Sequence, residues 1–160
     1  MGGPGVSIRR AGKDDVEGLL QCLGSAFEPY RGSYTIEAFK DTVLSADSIR
    51  QRLAEMSVFV AVGERGDIRG TIGYKLADSA EGHIRGMAVR PDQLGSRVAQ
   101  QLLDTVEAEL RQQGCSRISL DTTAPLARAI RFYERNGFRF SGTVRDFFGM
   151  ELFEYVKELT

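Results

Sequence analysis

The chain has 160 residues, 42% hydrophobic and 27% charged, with a formal net charge of -1. That is enough apolar material for one sizeable core, and with no linker-like stretch to divide it a single domain over residues 1–160 is expected. Lysines and arginines are scattered and no apolar run reaches membrane-spanning length, which argues against nucleic acid or a membrane as partner and points to a small molecule or peptide.

The start, MGGPGV, lacks the Ser or Thr of a myristoylation signal at its sixth position, and no signal-peptide core follows, so residues 1–5 are expected to be a frayed end. Val6 to Arg10 reads as a short strand. From about Lys13 a helix follows, with Val16, Leu19, Leu20, Leu23 and Phe27 on one face and Asp14 and Asp15 in its first turn. Pro29 and Gly32 interrupt; Thr35 then caps a helix carrying Ile36, Phe39 and Val43, and a further helical segment carries Ile49, Leu53 and Met56. Val58 to Glu64, Ile68 to Leu76 and about Gly82 to Val89 form an antiparallel meander, in which the tripeptide Arg65, Gly66, Asp67 is a tight turn rather than an adhesion signal. Beyond Gly95 a helix runs to Gln113, with Gly114 as its stop; Arg117 to Thr122 is a strand and Ala127 to Asn136 a short helix ended by Gly137. Two last strands, about Arg139 to Val144 and Met150 to Val156, are separated by a turn signalled by Arg145, Asp146 and Gly149. The order implies an α/β chain with a mixed central sheet of about seven strands flanked by about four helices. Cys22 and Cys115 are too few for a disulfide framework and have no visible base partner, so a reduced, cytoplasmic protein without a thiol nucleophile is expected. With one histidine and no cluster at ligand spacing, no metal site is expected. Asp104, Glu107, Glu109 and Arg111 read as the solvated face of their helix.

The most telling stretch is Met87 to Leu103, MAVRPDQLGSRVAQQLL. A strand ends at Pro91, crosses a polar loop containing Gly95, and opens into a helix on which Val98, Leu102, Val106 and Leu110 recur at helical spacing. Unpaired N–H groups and the helix dipole make such a junction suited to a phosphate, although the same junction also serves as a plain structural turn. About thirty residues beyond Gly95 comes a second segment, AIRFYERNGF, from Ala129 to Phe138.

Together these segments resemble the motifs of the GCN5-related N-acetyltransferase (GNAT) superfamily. Val89, Pro91, Gly95, Ala99, Leu102 and Leu103 match the first motif, while Ala129, Phe132, Tyr133, Gly137 and Phe138 match the second. Three positions depart: Leu94 stands where Arg or Gln is usual, Arg97 replaces a Gly, and Leu126 replaces an Asn. The resemblance implies a GNAT fold and acetyl-coenzyme A as cosubstrate. Its pantetheine arm would lie along the strand through Met87, Ala88 and Val89, and its pyrophosphate on the loop and helix start formed by Leu94, Gly95, Ser96, Arg97, Val98 and Ala99. Arg97 has less backbone freedom than Gly, but its guanidinium adds a charge-assisted donor.

The resemblance further implies direct transfer of the acetyl group to a primary amine of a small molecule or peptide, with Tyr133 as general acid toward the departing thiolate. On residue type alone, Tyr133 reads first as a core aromatic, and the motif is what reverses that order. An amine attacks only as its free base, so a proton acceptor is needed. Asp121, at the end of a strand, stands where the branch acting on ribosomal-protein N termini carries a Glu. His83, the only histidine, is the other candidate because an imidazole titrates near neutrality. Either could instead be an ordinary turn or strand residue, leaving the task to water. Phe27, Tyr30, Tyr34 and Asp146 fall where the family builds its acceptor pocket, Asp146 being able to pair an ammonium. A homodimer is left open, and the alternative function is a weakly active or inactive acyl-coenzyme A sensor of the same fold.

Overall fold

Strand β4 (Glu81–Val89) is where the sheet changes direction. In the computed structural model, which describes residues 5–159, the chain runs β1 (Ser7–Arg10), α1 (Val16–Phe27), α2 (Ile36–Thr42), α3 (Ala46–Glu55), β2 (Ser57–Val62), β3 (Ile68–Leu76), β4, α4 (Val98–Gln112), β5 (Arg117–Thr122), α5 (Ala127–Arg135), β6 (Arg139–Phe147) and β7 (Met150–Glu158). One mixed seven-stranded sheet has the order β1-β2-β3-β4-β5-β7-β6, and β4 with β5 is its parallel pair, joined through α4. Five α-helices are described where about four are expected from sequence. Apart from Gly5, the expectation of a frayed end falls outside the described residues.

Hydrophobic spacing explains the layers. On α4, Val98, Leu102, Leu103, Val106 and Leu110 are buried against one face of the sheet, together with Tyr133 and Phe138. On the other face, Val16, Leu19, Leu23 and Phe27 of α1 pack with Phe39 of α2 and Ile49 of α3. Strands β2 and β3 are covered on both sides and read as nearly continuous buried runs.

The sheet opens beside β4. Pairing of β4 with β5 covers only Glu81 to Ile84 against Arg117 to Leu120, so Arg85 to Val89 have no strand on that side. Between Thr71↔Ala88 and Gly73↔Arg85 the register with β3 shifts, placing an extra residue in β4. Gly86, at φ 72° within this bulge, supplies a backbone conformation that side chains disfavour. A bulge bends its strand, and here the bend falls where β4 and β5 part company.

Two local expectations need correction. The last hairpin turns at Phe148 and Gly149, both with positive φ (51° and 90°), as a two-residue turn matched to strand twist requires. Arg145 and Asp146 consequently lie in β6, paired with Leu152 and Glu151. Glu107 is not on the solvated face: it is 7% exposed, and both its oxygens accept from Lys157 Nζ, at 3.0 and 2.9 Å. Lys157→Met should therefore destabilise the fold by about 2 kcal/mol, less than for a fully buried pair because Arg111 remains near the carboxylate. Urea denaturation checks this, and adding Glu107→Leu should recover most of the loss.

Candidate active site

Beside the free edge of β4 lies a cleft of about 580 Å³, bounded by β4, the start of α4, α5 and the end of α1. Met87, Ala88, Val89, Leu94, Gly95, Ser96, Arg97 and Ala99 all line it. Val98 does not: its side chain is buried in the core, and its N–H donates to Ser96 Oγ at 3.3 Å. Gly95 turns the loop at φ 84°. Arg97 sits at the helix N-cap with φ -90°, a conformation open to any residue, so glycine is not required there. Among the described residues, the N–H groups of Gly95, Arg97, Ala99 and Gln100 have no intramolecular partner.

At the start of α4 the N-cap residue Arg97 makes no capping bond, Ser96 Oγ takes only the Val98 N–H, and the first turn carries no acid. By contrast, α2 and α3 are capped by Thr35 and Ser45. Free N–H groups and an unneutralised dipole leave this end suited to an anion. Arg128, which sequence reasoning missed, strengthens it: its Nη2 lies 3.9 Å from where a Cβ of Gly95 would stand, and it lines the cleft beside Arg97. Its sequence signal was a cation at the second position of α5, just ahead of the AIRFYERNGF segment.

A second cleft, of about 460 Å³, lies across β4 and β5. The two share Phe27, Met87, Leu126 and Tyr133, so they meet at the Tyr133 phenol. Tyr133 is 7% exposed and packs edge-on against Phe132 and Phe138, and its OH donates to Met87 Sδ at 3.6 Å. Burial pushes this phenol well above its ordinary range, which keeps it protonated. A thioether is a weak acceptor, so the hydroxyl is free to exchange it for a better one.

Tyr34 lines the second cleft, with its hydroxyl 2.6 Å from Thr123 Oγ1. Tyr30 lines the first cleft instead. Asp146 is exposed on β6 and lines neither. Asp121 does line the second cleft, and its carboxylate is shared by Arg145 at 3.2 Å and His83 Nε2 at 3.4 Å.

Behind Asp121 the polar groups form a chain. Ser119 Oγ donates to Glu81 Oε2 at 2.8 Å, and His83 Nδ1 lies 2.8 Å from the same Oγ. Having spent its proton on Glu81, Ser119 can only accept from His83, so Nδ1 carries a hydrogen; Asp121, an acceptor only, pairs with Nε2 when that nitrogen carries one as well. Asp121 and His83, separate candidates in the sequence, are thus one unit.

Cys22 is fully buried, and burial pushes its thiol up to about 12, in keeping with an inert residue. Among the described residues, no group of three or more His, Cys, Asp or Glu could hold a metal ion, and no helix is long and apolar enough to cross a membrane.

The fold is shared with solved structures. The PaiA N-acetyltransferase from Thermoplasma acidophilum, in complex with coenzyme A, is 18% identical and aligns over 96% of this chain and 99% of that one, with a TM-score of 0.83. Ard1 from Thermoplasma volcanium is 19% identical over 98% and 99%, with a TM-score of 0.81. Among curated proteins, the uncharacterized protein YdhI of Bacillus subtilis (strain 168) is 34% identical over 90 residues, 56% of this chain; the match spans about half of that relative, 54%. The model of the acetyltransferase (GNAT) family matches residues 19–138. With both motif segments inside that span, the chain belongs to the acetyltransferase (GNAT) family.

Proposed function

We propose that this chain transfers the acetyl group of acetyl-coenzyme A directly to a primary amine of a small molecule or peptide. The observation that carries the reading is the meeting of the two clefts at Tyr133, one suited to the donor and the other open to an acceptor. The coenzyme A held by the Thermoplasma acidophilum relative of the same fold supports the choice of donor.

The residues present fit that cosubstrate. Unpaired N–H groups at Gly95, Arg97, Ala99 and Gln100, with the Arg97 and Arg128 guanidiniums, would hold its phosphates. The free edge of β4 from Arg85 to Val89 offers backbone groups to the amide-containing arm. When bound, acetyl-coenzyme A supplies an activated acyl carbon and a thiolate leaving group. The protein's work is then proton handling. His83 lines neither cleft, so Asp121 faces the amine, or the water beside it, and passes its proton on to Nε2 of His83, whose imidazolium is held between Asp121 and Ser119. Tyr133 gives its proton to the departing sulfur and is reprotonated by the second proton that the nitrogen sheds as the amide forms.

Arg97→Gly isolates the donor site. Because the backbone at this position needs no glycine, the substitution removes a phosphate donor without relieving strain, and affinity for coenzyme A should fall about tenfold with the acceptor KM unchanged. Calorimetric titration with coenzyme A measures this. The function itself is tested by thiol release from acetyl-coenzyme A across a panel of amines and peptides, with the acetylated product identified by mass. Amine-dependent release is expected, and donor binding without turnover on any acceptor would favour a sensor.

A further inference from the structure

The cleft that Asp121 lines also carries a cation with no carboxylate of its own. Arg52 of α3 lies at i+3 from Ile49, on the apolar side of its helix, and its half-buried side chain lines this cleft. The Arg52 Nη1 occupies the space that a Cβ on Gly86 would fill, so the glycine at the β4 bulge is what lets the guanidinium reach the cleft wall. Among the described residues that guanidinium makes no hydrogen bond or ion pair. Asp41, the acid on the same wall, is held by Arg85 Nη2 at 3.2 Å. Two guanidiniums therefore share one carboxylate. Burial and the like charge of Arg85 push the Arg52 pKa down to about 10 against the opposing pull of Asp41, leaving it charged at neutral pH but only partly compensated.

An unpaired, partly desolvated cation is unfavourable for folding, and a partner arriving with the substrate is what would offset it. Its planar fork suits an oxyanion, either carboxylate or phosphate. The same cleft is lined by Phe27, Tyr34, Phe147 and Phe148, which suits an apolar body.

We propose that the acceptor carries an oxyanion as well as its amine, and that Arg52 binds that oxyanion while the amine faces Asp121 and Tyr133. The proposal rests on the acceptor cleft assigned under the proposed function. It makes Arg52 a specificity-determining residue: an amine without the anion leaves the guanidinium unpaired in the complex, and the site discriminates against it.

The test compares phenylalanine and longer ω-amino acids with phenylalaninamide, phenethylamine and O-phosphoethanolamine. Both binding to the coenzyme A-saturated protein, by calorimetry, and thiol release from acetyl-coenzyme A are measured. At least one oxyanion-bearing acceptor should exceed the uncharged amines by about tenfold or more in affinity, and its class tells carboxylate from phosphate. Arg52→Gln should abolish that preference while sparing the uncharged amines and coenzyme A affinity, and Arg52→Lys should restore part of it. Asp41→Asn, which frees Arg85 from its carboxylate, should strengthen oxyanion binding, a shift of opposite sign that does not depend on how Arg52 variants fold. Uncharged amines that bind as well as every oxyanion-bearing acceptor would overturn the proposal, as would an Arg52→Gln variant that weakens all acceptors alike. Arg52-dependent binding with no thiol release would instead end the transferase reading and leave the anion site standing.

Discussion

Tyr133→Phe is expected to lower the rate of acetyl transfer by about 10²- to 10³-fold while leaving coenzyme A affinity unchanged. The substitution removes one hydroxyl from the point where the two clefts meet and keeps the ring that packs on Phe132 and Phe138. Because the hydroxyl gives up only a weak bond to Met87 Sδ, stability should barely change. Burial raises the phenol pKa, so the acid form persists above the ordinary tyrosine value of about 10. Any decline of rate between neutrality and that pH is thus assigned to groups other than Tyr133. Single-turnover rates of the two proteins, with thermal melting as a control, make the comparison. A rate within about twofold of wild type would remove the role given to this residue.

Asp121→Asn should cost about 10²-fold in kcat/KM, and the shape of the pH profile carries more information than the size of the loss. With the Asp121 and His83 unit intact, the protein is expected to take the proton from a bound ammonium, so the rate should level off as pH rises. Without the carboxylate, Nε2 of His83 loses its link to the cleft, and the rate should keep climbing until the amine is deprotonated in solution. His83→Gln should give the same profile, since both residues belong to one chain of polar contacts running through Ser119 to Glu81. The double variant should be little worse than either single one. Basic-side profiles that match wild type in both variants would assign the proton to water.

How much of this was legible in the sequence depended on the range of the interactions. The strand, loop and helix around Gly95 and the α5 segment with Tyr133 are local patterns, and hydrophobic spacing alone placed α1, α4 and the three-strand meander. Gly86 was silent because its bulge exists only in register with β3. Arg52 was silent for a related reason: its meaning comes from a contact with β4, far along the chain. Of the last turn, Gly149 was legible, but its start was set too early because Arg145 and Asp146 are ordinary turn residues, whereas the turn begins at Phe148 with positive φ, an uncommon conformation for an aromatic residue. Glu107 looked like a solvated charge until Lys157 from β7 was placed over it. Asp121 and His83 were both visible as candidates, but their union required β4 and β5 to lie parallel in the register that sets His83 against Ser119.

The central claim, direct acetyl transfer from coenzyme A to an amine, is met most squarely by one turnover followed by mass analysis. Protein in excess over acetyl-coenzyme A is mixed with an acceptor that supports thiol release, and small molecules and intact protein are weighed through the time course. The account predicts that N-acetylated acceptor and free coenzyme A appear together in equal amounts, with no acetylated protein at any time. Acetyl-coenzyme A recovered intact with every acceptor, or an acetyl group lodged on the protein before it reaches the amine, would contradict it.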